Sequence, residues 1–273
     1  MQTLAIAVGY ISFPLPNPPP TPYLTTMKRN PIIFDKVATE YERYRPGPDE
    51  AVIRRVLGLI GDCKSVIEVG AGTGQMTGHL LRAGKQVFAV EPGRAMAAML
   101  RCRWPELTVV ESRFEEFEGV DGFQALVSHQ AFHWVEAESG VRRAGEVLAS
   151  GGRLVLIWDV DASQDTPFYR ATSGVYERYL PDAQWPSKKP LRAYPELYAD
   201  MIAHSDLFTD PVIETIPHER TFTKEAWLGL IRTFSDHIEL PDEFFIEIGR
   251  LVDDFRGMVQ RHYNARIVHA IRS

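Results

Sequence analysis

The chain has 273 residues, 45% of them hydrophobic and 24% charged, with a formal net charge of −6 and a pI near 5.8. That is enough apolar sequence for one sizeable core, with no demand for a second. The acidic balance gives no electrostatic footprint for a phosphate backbone, so nucleic acid is not an expected partner. No apolar run reaches the roughly 18–20 residues that span a bilayer, so no membrane is expected either. Cys63 and Cys102 are far apart and form no metal-spacing cluster. They read as free thiols of a reducing cytoplasm, with no metal implied.

In chain order, residues 1–26 are expected to lie outside the fold. Leu4 to Phe13 is mildly apolar, but no Lys or Arg precedes it, which makes a poor signal peptide. Pro14, Pro16, Pro18, Pro19, Pro20 and Pro22 then enforce an extended segment. The reading is a disordered tail, or sequence upstream of a start at Met27; a Pro-rich partner ligand is the alternative. A single domain is expected over 27–273. Phe34, Val37 and Tyr41 fall near one helical face. Tyr44 and Arg45 put polar tips beside the restrained Pro46, so both are candidate substrate contacts; an ordinary packing helix is the other reading. A helix opens at Pro48, buries Val52, Ile53, Val56, Leu57 and Ile60, and stops at Gly61.

Residues 65–75 organise the rest. Val66, Ile67 and Val69 read as a buried strand. Three glycines follow at alternate positions, Gly70, Gly72 and Gly74, and then Met76, Leu80 and Leu81 at helical spacing, ended by Gly84. Strand, glycine turn and helix form a nucleotide-binding unit, in which a Cβ would hold a ligand off the backbone. A dinucleotide fingerprint would need glycine where Gln75 stands. Glu68 would repel a pyrophosphate and suits a cationic ligand. Seventeen positions past Gly74, Glu91 closes the apolar run Val87–Val90. An acid there can accept from two ribose hydroxyls. Either acid alone could merely cap a strand end in water.

Glu68-Val69-Gly70-Ala71-Gly72-Thr73-Gly74, followed by Val90-Glu91-Pro92, resembles the first two motifs of class I S-adenosylmethionine-dependent methyltransferases. More narrowly, it is similar to the small-molecule branch that includes trans-aconitate methyltransferase-like proteins. The resemblance covers roughly 33–273. It implies an α/β fold with a doubly wound, seven-stranded, mostly parallel sheet, S-adenosylmethionine as cofactor, and a cofactor site at Glu68, Gly70, Ala71, Gly72, Thr73, Gly74 and Glu91. It also implies that the segment at 33–47 folds over cofactor and substrate.

A helix with Met96, Met99 and Leu100 inward leads through Trp104-Pro105 to a strand near Leu107–Val110. The resemblance lays the next loop over the adenine. There Ser112 stands where the family usually has an acid, with the Arg113 and Phe114 backbone as further contacts. A fourth strand, Phe123–Ser128, runs into His129-Gln130-Ala131-Phe132-His133-Trp134. Ligands bind beyond the carboxyl ends of such strands, which makes Ser128 a cofactor contact, His129 and His133 candidate bases and Trp134 a candidate substrate contact. A DNA amino-methyltransferase would show Asn/Asp-Pro-Pro-aromatic here, and none is present. His-Trp resembles the small-molecule branch. A helix around 140–149 and a strand Arg153–Asp159 complete a core of about 48–159.

From 160 to about 207, aromatic residues (Phe168, Tyr169, Tyr176, Tyr179, Trp185, Tyr194, Tyr198) alternate with basic ones (Arg170, Arg178, Lys188, Lys189, Arg192). Helices are expected near Thr166–Tyr179 and Tyr194–Asp206, as an insertion capping the substrate pocket. The last part, 208–273, reads as a strand at Pro211–Thr223, helices at Lys224–Phe234 and Phe244–Met258, and a closing strand at Ala265–Ile271, antiparallel by resemblance. Thr233-Phe234-Ser235 is taken as structural. The implied activity is in-line methyl transfer to a small-molecule carboxylate or hydroxyl. A carboxylate needs only a cationic anchor such as Arg45, whereas a hydroxyl needs a base, His129 or His133. A non-catalytic binding protein on the same fold and an NAD-type oxidoreductase are the alternatives. The acceptor and the oligomeric state are not legible.

Overall fold

The computed structural model describes residues 30–181 and 194–273. The expected tail at 1–26, and the part of the insertion holding Trp185, Lys188, Lys189 and Arg192, lie outside the described residues. All elements named here belong to the unit Pro31–Ser273.

Seven strands form one sheet: β1 Ser65–Val69, β2 Gln86–Val90, β3 Thr108–Val110, β4 Phe123–His129, β5 Leu148–Asp161, β6 Val212–Thr223 and β7 Met258–Ile271. Their order is β3-β2-β1-β4-β5-β7-β6. β1 to β5 pair in parallel, and β7 runs antiparallel between β5 and β6. This is the doubly wound, mostly parallel sheet that the sequence implies. The chain winds outward from β1 to β3, then returns to place β4 on the other side of β1. The resulting switch point opens a crevice beyond the carboxyl ends of β1 and β4.

One sheet face carries α2 (Glu50–Ile60), α3 (Thr77–Arg82) and α4 (Arg94–Arg103), through Val52, Val56, Ile60, Leu80 and Leu100. The other carries α5 (Ala137–Val147) and α7 (Tyr194–Ala203), through Val141, Ala144, Tyr198 and Ile202. Caps decide the helix starts. Asp49 accepts from the Ala51 amide at the head of α2, and the Glu136 side chain accepts from the Glu138 and Ser139 amides. The second of these starts α5 three residues before the expected Gly140.

The C-terminal part departs from the sequence expectation. α9 (Asp242–Asp254) ends early, and β7 begins at Met258 instead of Ala265. Phe255 and Met258 continue the helical spacing, but Arg256 and Gly257 take left-handed φ of 60° and 72° and turn the chain. Met258–His262 then pairs with β6 beyond the point where β5 ends against Tyr263. This overhanging hairpin holds a third apolar cluster, formed by α6 (Pro167–Tyr179), α8 (Lys224–Ile231) and α9 with Phe222 and Val259. The two helices of the expected cap therefore part company. α6 joins that cluster, and α7 packs into the sheet layer against Trp158.

α1 (Ala38–Tyr44), preceded by a tight helical turn at Pro31–Val37, lies on α8. A Cβ on Gly229 would come within 2.5 Å of three Tyr44 ring atoms, so the bare backbone of α8 is what lets α1 seat. Gly229→Val is expected to lower stability by about 1–3 kcal/mol, read as a reduced urea midpoint at unchanged slope.

Candidate functional site

The glycine turn after β1 folds back onto the end of β2. Gly70 N donates to Val90 O at 2.8 Å and Gly74 N to Ala71 O at 2.9 Å. The three glycines have φ of 69°, 59° and 99°, a region that costs any residue with a Cβ. Their neighbours differ. A Cβ on Gly70 would sit 2.2 Å from Ala131 Cβ, and one on Gly74 would sit 2.3 Å from the Trp104 ring. Gly74 thus serves the packing of α3 on Trp104 and does not line the cleft. Thr73 is buried and accepts from Gln75 Nε2 at 2.7 Å. Ala71, also buried, lines the cleft beside Gly70 and Gly72.

Two acids lie under this turn. Glu91 is buried, and both its oxygens are oriented by amides, Oε2 by Gly72 at 2.8 Å and Oε1 by Gly93 at 2.9 Å. Burial pushes its pKa up to about 7 against those two hydrogen bonds, and Asp35 nearby raises it further. Glu68, also buried, lines the second of two chambers over the turn and accepts from Thr77 Oγ1 at 2.7 Å. Burial carries it up to about 8, the Thr77 bond opposes, and Glu91 adds to the rise.

Two chambers meet over the turn, sharing Tyr41, Arg45, Gly70, Gly72, His129 and Phe234. The first, about 290 Å³, is bounded by Glu91, Pro92, Met96, Ser112, Arg113 and Phe114 on one side and by Phe34 and Trp134 on the other. Ser112 Oγ donates to Arg113 O at 2.8 Å, and Arg113 pairs with Glu115. Asp35 closes the rim by accepting from the Ala95 amide at the head of α4. The Phe34 ring stands edge-on to Trp134 at 5.3 Å. The second chamber carries more ionisable groups, Glu68 from β1 with Asp159, Asp161, Arg220 and Arg261 from β5 to β7.

Of the remaining sequence candidates, Ser128 lies below the cleft, its hydroxyl tied to Val69 O at 2.8 Å. Tyr44 packs on α8 and lines neither chamber. Arg45 lies between the chambers. Its Nε and Nη2 donate to Thr233 Oγ1 and O, both at 2.8 Å, and its guanidinium lies over the Tyr41 and Phe234 rings. Burial pulls its pKa down, opposed by Tyr41, Tyr263 and Asp236. His133 lines the first chamber, and its Nδ1 lies 3.2 Å from Trp158 Nε1. An indole N–H only donates, so that Nδ1 accepts and the proton of the neutral ring sits on Nε2. Nδ1 of His133 is thus engaged as an acceptor by Trp158.

Comparisons with known proteins identify the family. A family pattern described as "Methyltransferase domain" matches residues 67–156. An uncharacterised methyltransferase of Mycobacterium tuberculosis is 34% identical over 130 residues, 47% of this chain and 52% of that one. One of Bacillus mycoides is 30% identical over 145 residues, 49% of this chain and 68% of that one. The chain belongs to the methyltransferase family. It spans about half the length of the mycobacterial relative and two thirds of the Bacillus one. A solved structure, phospholethanolamine N-methyltransferase 2 of Haemonchus contortus, shares the fold at a TM-score of 0.54. It is 15% identical, and the match covers 87% of this chain and 57% of that one.

Within this methyltransferase fold, sequence reasoning passed over Asp35, Asp159, His218 and Arg220. The one available signal was Asp159 itself, a carboxylate closing a parallel strand. His218 and Arg220 alternate along β6 with nothing in their spacing to mark a site.

The buried acids make stability pH-dependent. Both are protonated in the folded chain at pH values where they are ionised in the unfolded one. Their stabilisation is complete below the ordinary value of 4.5 and is lost as pH rises toward about 7 for Glu91 and about 8 for Glu68. The slope is about 1.4 kcal/mol per pH unit per proton. Urea denaturation of the Glu68→Gln variant between those limits should show a shallower fall than the wild type.

Proposed function

We propose that this chain transfers a methyl group from S-adenosylmethionine to a small-molecule oxygen acceptor, a carboxylate or a hydroxyl. The observation that carries the reading is the buried Glu91 carboxylate, aimed by two backbone amides beside a turn that leaves the cleft floor without Cβ atoms. The Haemonchus enzyme, whose crystals hold S-adenosylhomocysteine and phosphomonomethylethanolamine, lends the same fold.

In this reading Glu91 takes the ribose hydroxyls, and Pro92, Met96 and Phe114 form the apolar side of an adenine slot. Gly70 and Gly72 allow close approach to the backbone. The donor supplies an activated sulfonium methyl. The chain's task is alignment for in-line displacement, and orientation alone is worth roughly 7–11 kcal/mol of barrier. Phe34, Tyr41 and Trp134 hold water away from the junction of the chambers, where the two reactants meet.

The second chamber is the acceptor side. Arg45 and Arg220 are fastened by neutral oxygens, those of Thr233 and Gly47. Among the described residues neither forms an ion pair with a carboxylate. Asp236 and Asp159 act on these charges only through space, so both guanidiniums can still receive an anionic group of the acceptor. No helix among the described residues is long and apolar enough to cross a membrane, and we place the enzyme in the cytoplasm, acting on a dissolved metabolite.

Calorimetry with S-adenosylmethionine tests the donor half. Glu91→Ala should weaken binding by about 1.5–3 kcal/mol, the range for hydrogen bonds to a charged group. Wild-type affinity should fall as pH drops below about 7, because protonation of Glu91 removes the acceptor charge, and Glu91→Gln should lose that dependence. No binding by the wild type would sink the proposal. Incubation with methyl-labelled donor and a metabolite extract then identifies the acceptor from the labelled product.

A further inference from the structure

Behind His129, the floor of the second chamber holds a polar cluster that donor binding does not use. His129 Nε2, at the end of β4, lies 3.4 Å from Asp159 Oδ2, at the end of β5. His218 Nε2, on β6, lies 3.8 Å from the other oxygen, Asp159 Oδ1. The three side chains are only 8%, 13% and 5% exposed. His129 Nε2, Asp159 Oδ1 and both nitrogens of His218 are buried without a hydrogen-bond partner among the described residues. Buried polar atoms are satisfied in the great majority of cases, and a group of exceptions at one place needs a reason.

The surroundings keep the cluster in place. Burial acts to raise the Asp159 pKa, but His129, His218 and Arg220 together hold it below its ordinary value. Tyr263 stacks on His218 at 5.3 Å. Gln130, next in the chain to His129, has a left-handed φ of 58°, a strained conformation for a residue with a side chain. Its amide is fixed to Ile157 O at 2.9 Å. The end of β4 is thereby bent so that His129 lines both chambers at their junction.

We propose that His129 is the general base of the reaction, that Asp159 positions it, and that the methyl acceptor is therefore a hydroxyl group. This rests on the methyl-transfer reading above and narrows it. In the reacting complex Nε2–H donates to Asp159, which leaves the lone pair of the neutral ring on Nδ1, the nitrogen available to the acceptor. As the acceptor oxygen forms its bond to the methyl carbon, the carbon–sulfur bond breaks and its electron pair stays on sulfur. The hydroxyl proton passes to Nδ1, and the Asp159 carboxylate stabilises the imidazolium that results, as in other Asp–His pairs. His218 Nε2 stands 3.8 Å from the second oxygen of Asp159 and adds favourable charge on that side when protonated. Arg45 and Arg220 meanwhile retain an anionic group elsewhere on the acceptor, so the chamber fits a hydroxy acid or a phenolic acid. The 3.4 Å separation is ordinary for a catalytic contact before substrate tightens it.

Two measurements test this. The first needs no turnover. In protein labelled with ¹⁵N-histidine, long-range ¹H–¹⁵N spectra, assigned with His129→Gln, should show the neutral ring protonated on Nε2. A proton on Nδ1 would overturn the proposal. The second uses labelled methyl donor and metabolite extract. The label should remain in the product after mild alkali, with a methoxy fragment in its mass spectrum. Label released as volatile methanol marks a methyl ester, and that result, or an N-methyl or C-methyl product, would overturn it.

His129→Gln should lower kcat about 10²–10⁴-fold with the donor Kd unchanged, which separates this failure from failure to bind donor. Asp159→Asn, if folded, should shift the acid limb of the wild-type rate profile to lower pH, since imidazolium loses its counter-charge. The charged and titratable groups facing the pair are His218 and Arg220 of β6, Tyr263 of β7 and His79 of α3. Variants at Asp159 that leave the limb in place, or a His129→Gln enzyme with undiminished kcat, would each overturn the assignment.

Discussion

The hydrogen bond from the Gly72 amide to Glu91 joins the turn after β1 to the end of β2, and the cleft floor is built around it. It requires Gly72 at a φ of 59°, with Gly70 already pinned to Val90 by its own amide. Register supplies the remainder: Val69 lies beside Val90 in the parallel pair, so both strands end at one level. Only then can one carboxylate collect amides from two different strand ends, Gly72 after β1 and Gly93 after β2. A Cβ at Gly70 would drive Ala131 away and open the floor toward β4. Position, conformation and charge at this point form one constraint.

Two buried carboxyls a few residues from each other's strand end are costly for a fold, and the structure divides that cost. Glu68 is relieved by a neutral donor, Thr77, and rises far enough to be protonated near neutrality. Glu91 has two amides and rises less. Glu68, which lines the second chamber, is thus the easier to neutralise, and Glu91, which lines the first, is the easier to ionise. The sequence separates the two acids by ligand, a cation for Glu68 and ribose hydroxyls for Glu91, but shows no difference in how readily each ionises. The distinction comes from Thr77, a residue whose spacing from Glu68 means nothing until α3 folds over β1.

The same contrast explains which features were legible. The β1–turn–β2 half of the site is local: 26 residues, Ser65 to Val90, contain both strands and the helix between them. Alternation, glycine placement and strand-end acids are therefore visible in one reading. Tyr44 and Gly74 carry the chemistry expected of contact residues, and the fold packs them against Gly229 and Trp104, contacts that no spacing in the sequence reveals. The second chamber is built differently. His129, Asp159 and His218 are separated in the chain by tens of residues and meet only through the β4-β5-β7-β6 pairing. His129 is legible from its place at the carboxyl end of a parallel strand, but its pairing with Asp159 and His218 is not, because those two occupy ordinary strand positions and a single sequence holds no record of pairing.

The early end of α9 matters for the same reason. Had the helix run on to Met258, as its apolar spacing suggests, β7 would start at Ala265 and end level with Asp159, its partner on β5. Tyr263 and Arg261 would then lie outside the sheet, and His218 would lose the ring stacked on it. By turning at Arg256 and Gly257 the chain gains seven further strand residues, Met258 to Asn264, and carries the β6–β7 hairpin past the parallel strands. That overhang is the wall on which the second chamber is built. Two left-handed residues in a surface turn thus decide whether the cleft has one chamber or two, and local helix propensity yields there to the long-range pairing that completes the site.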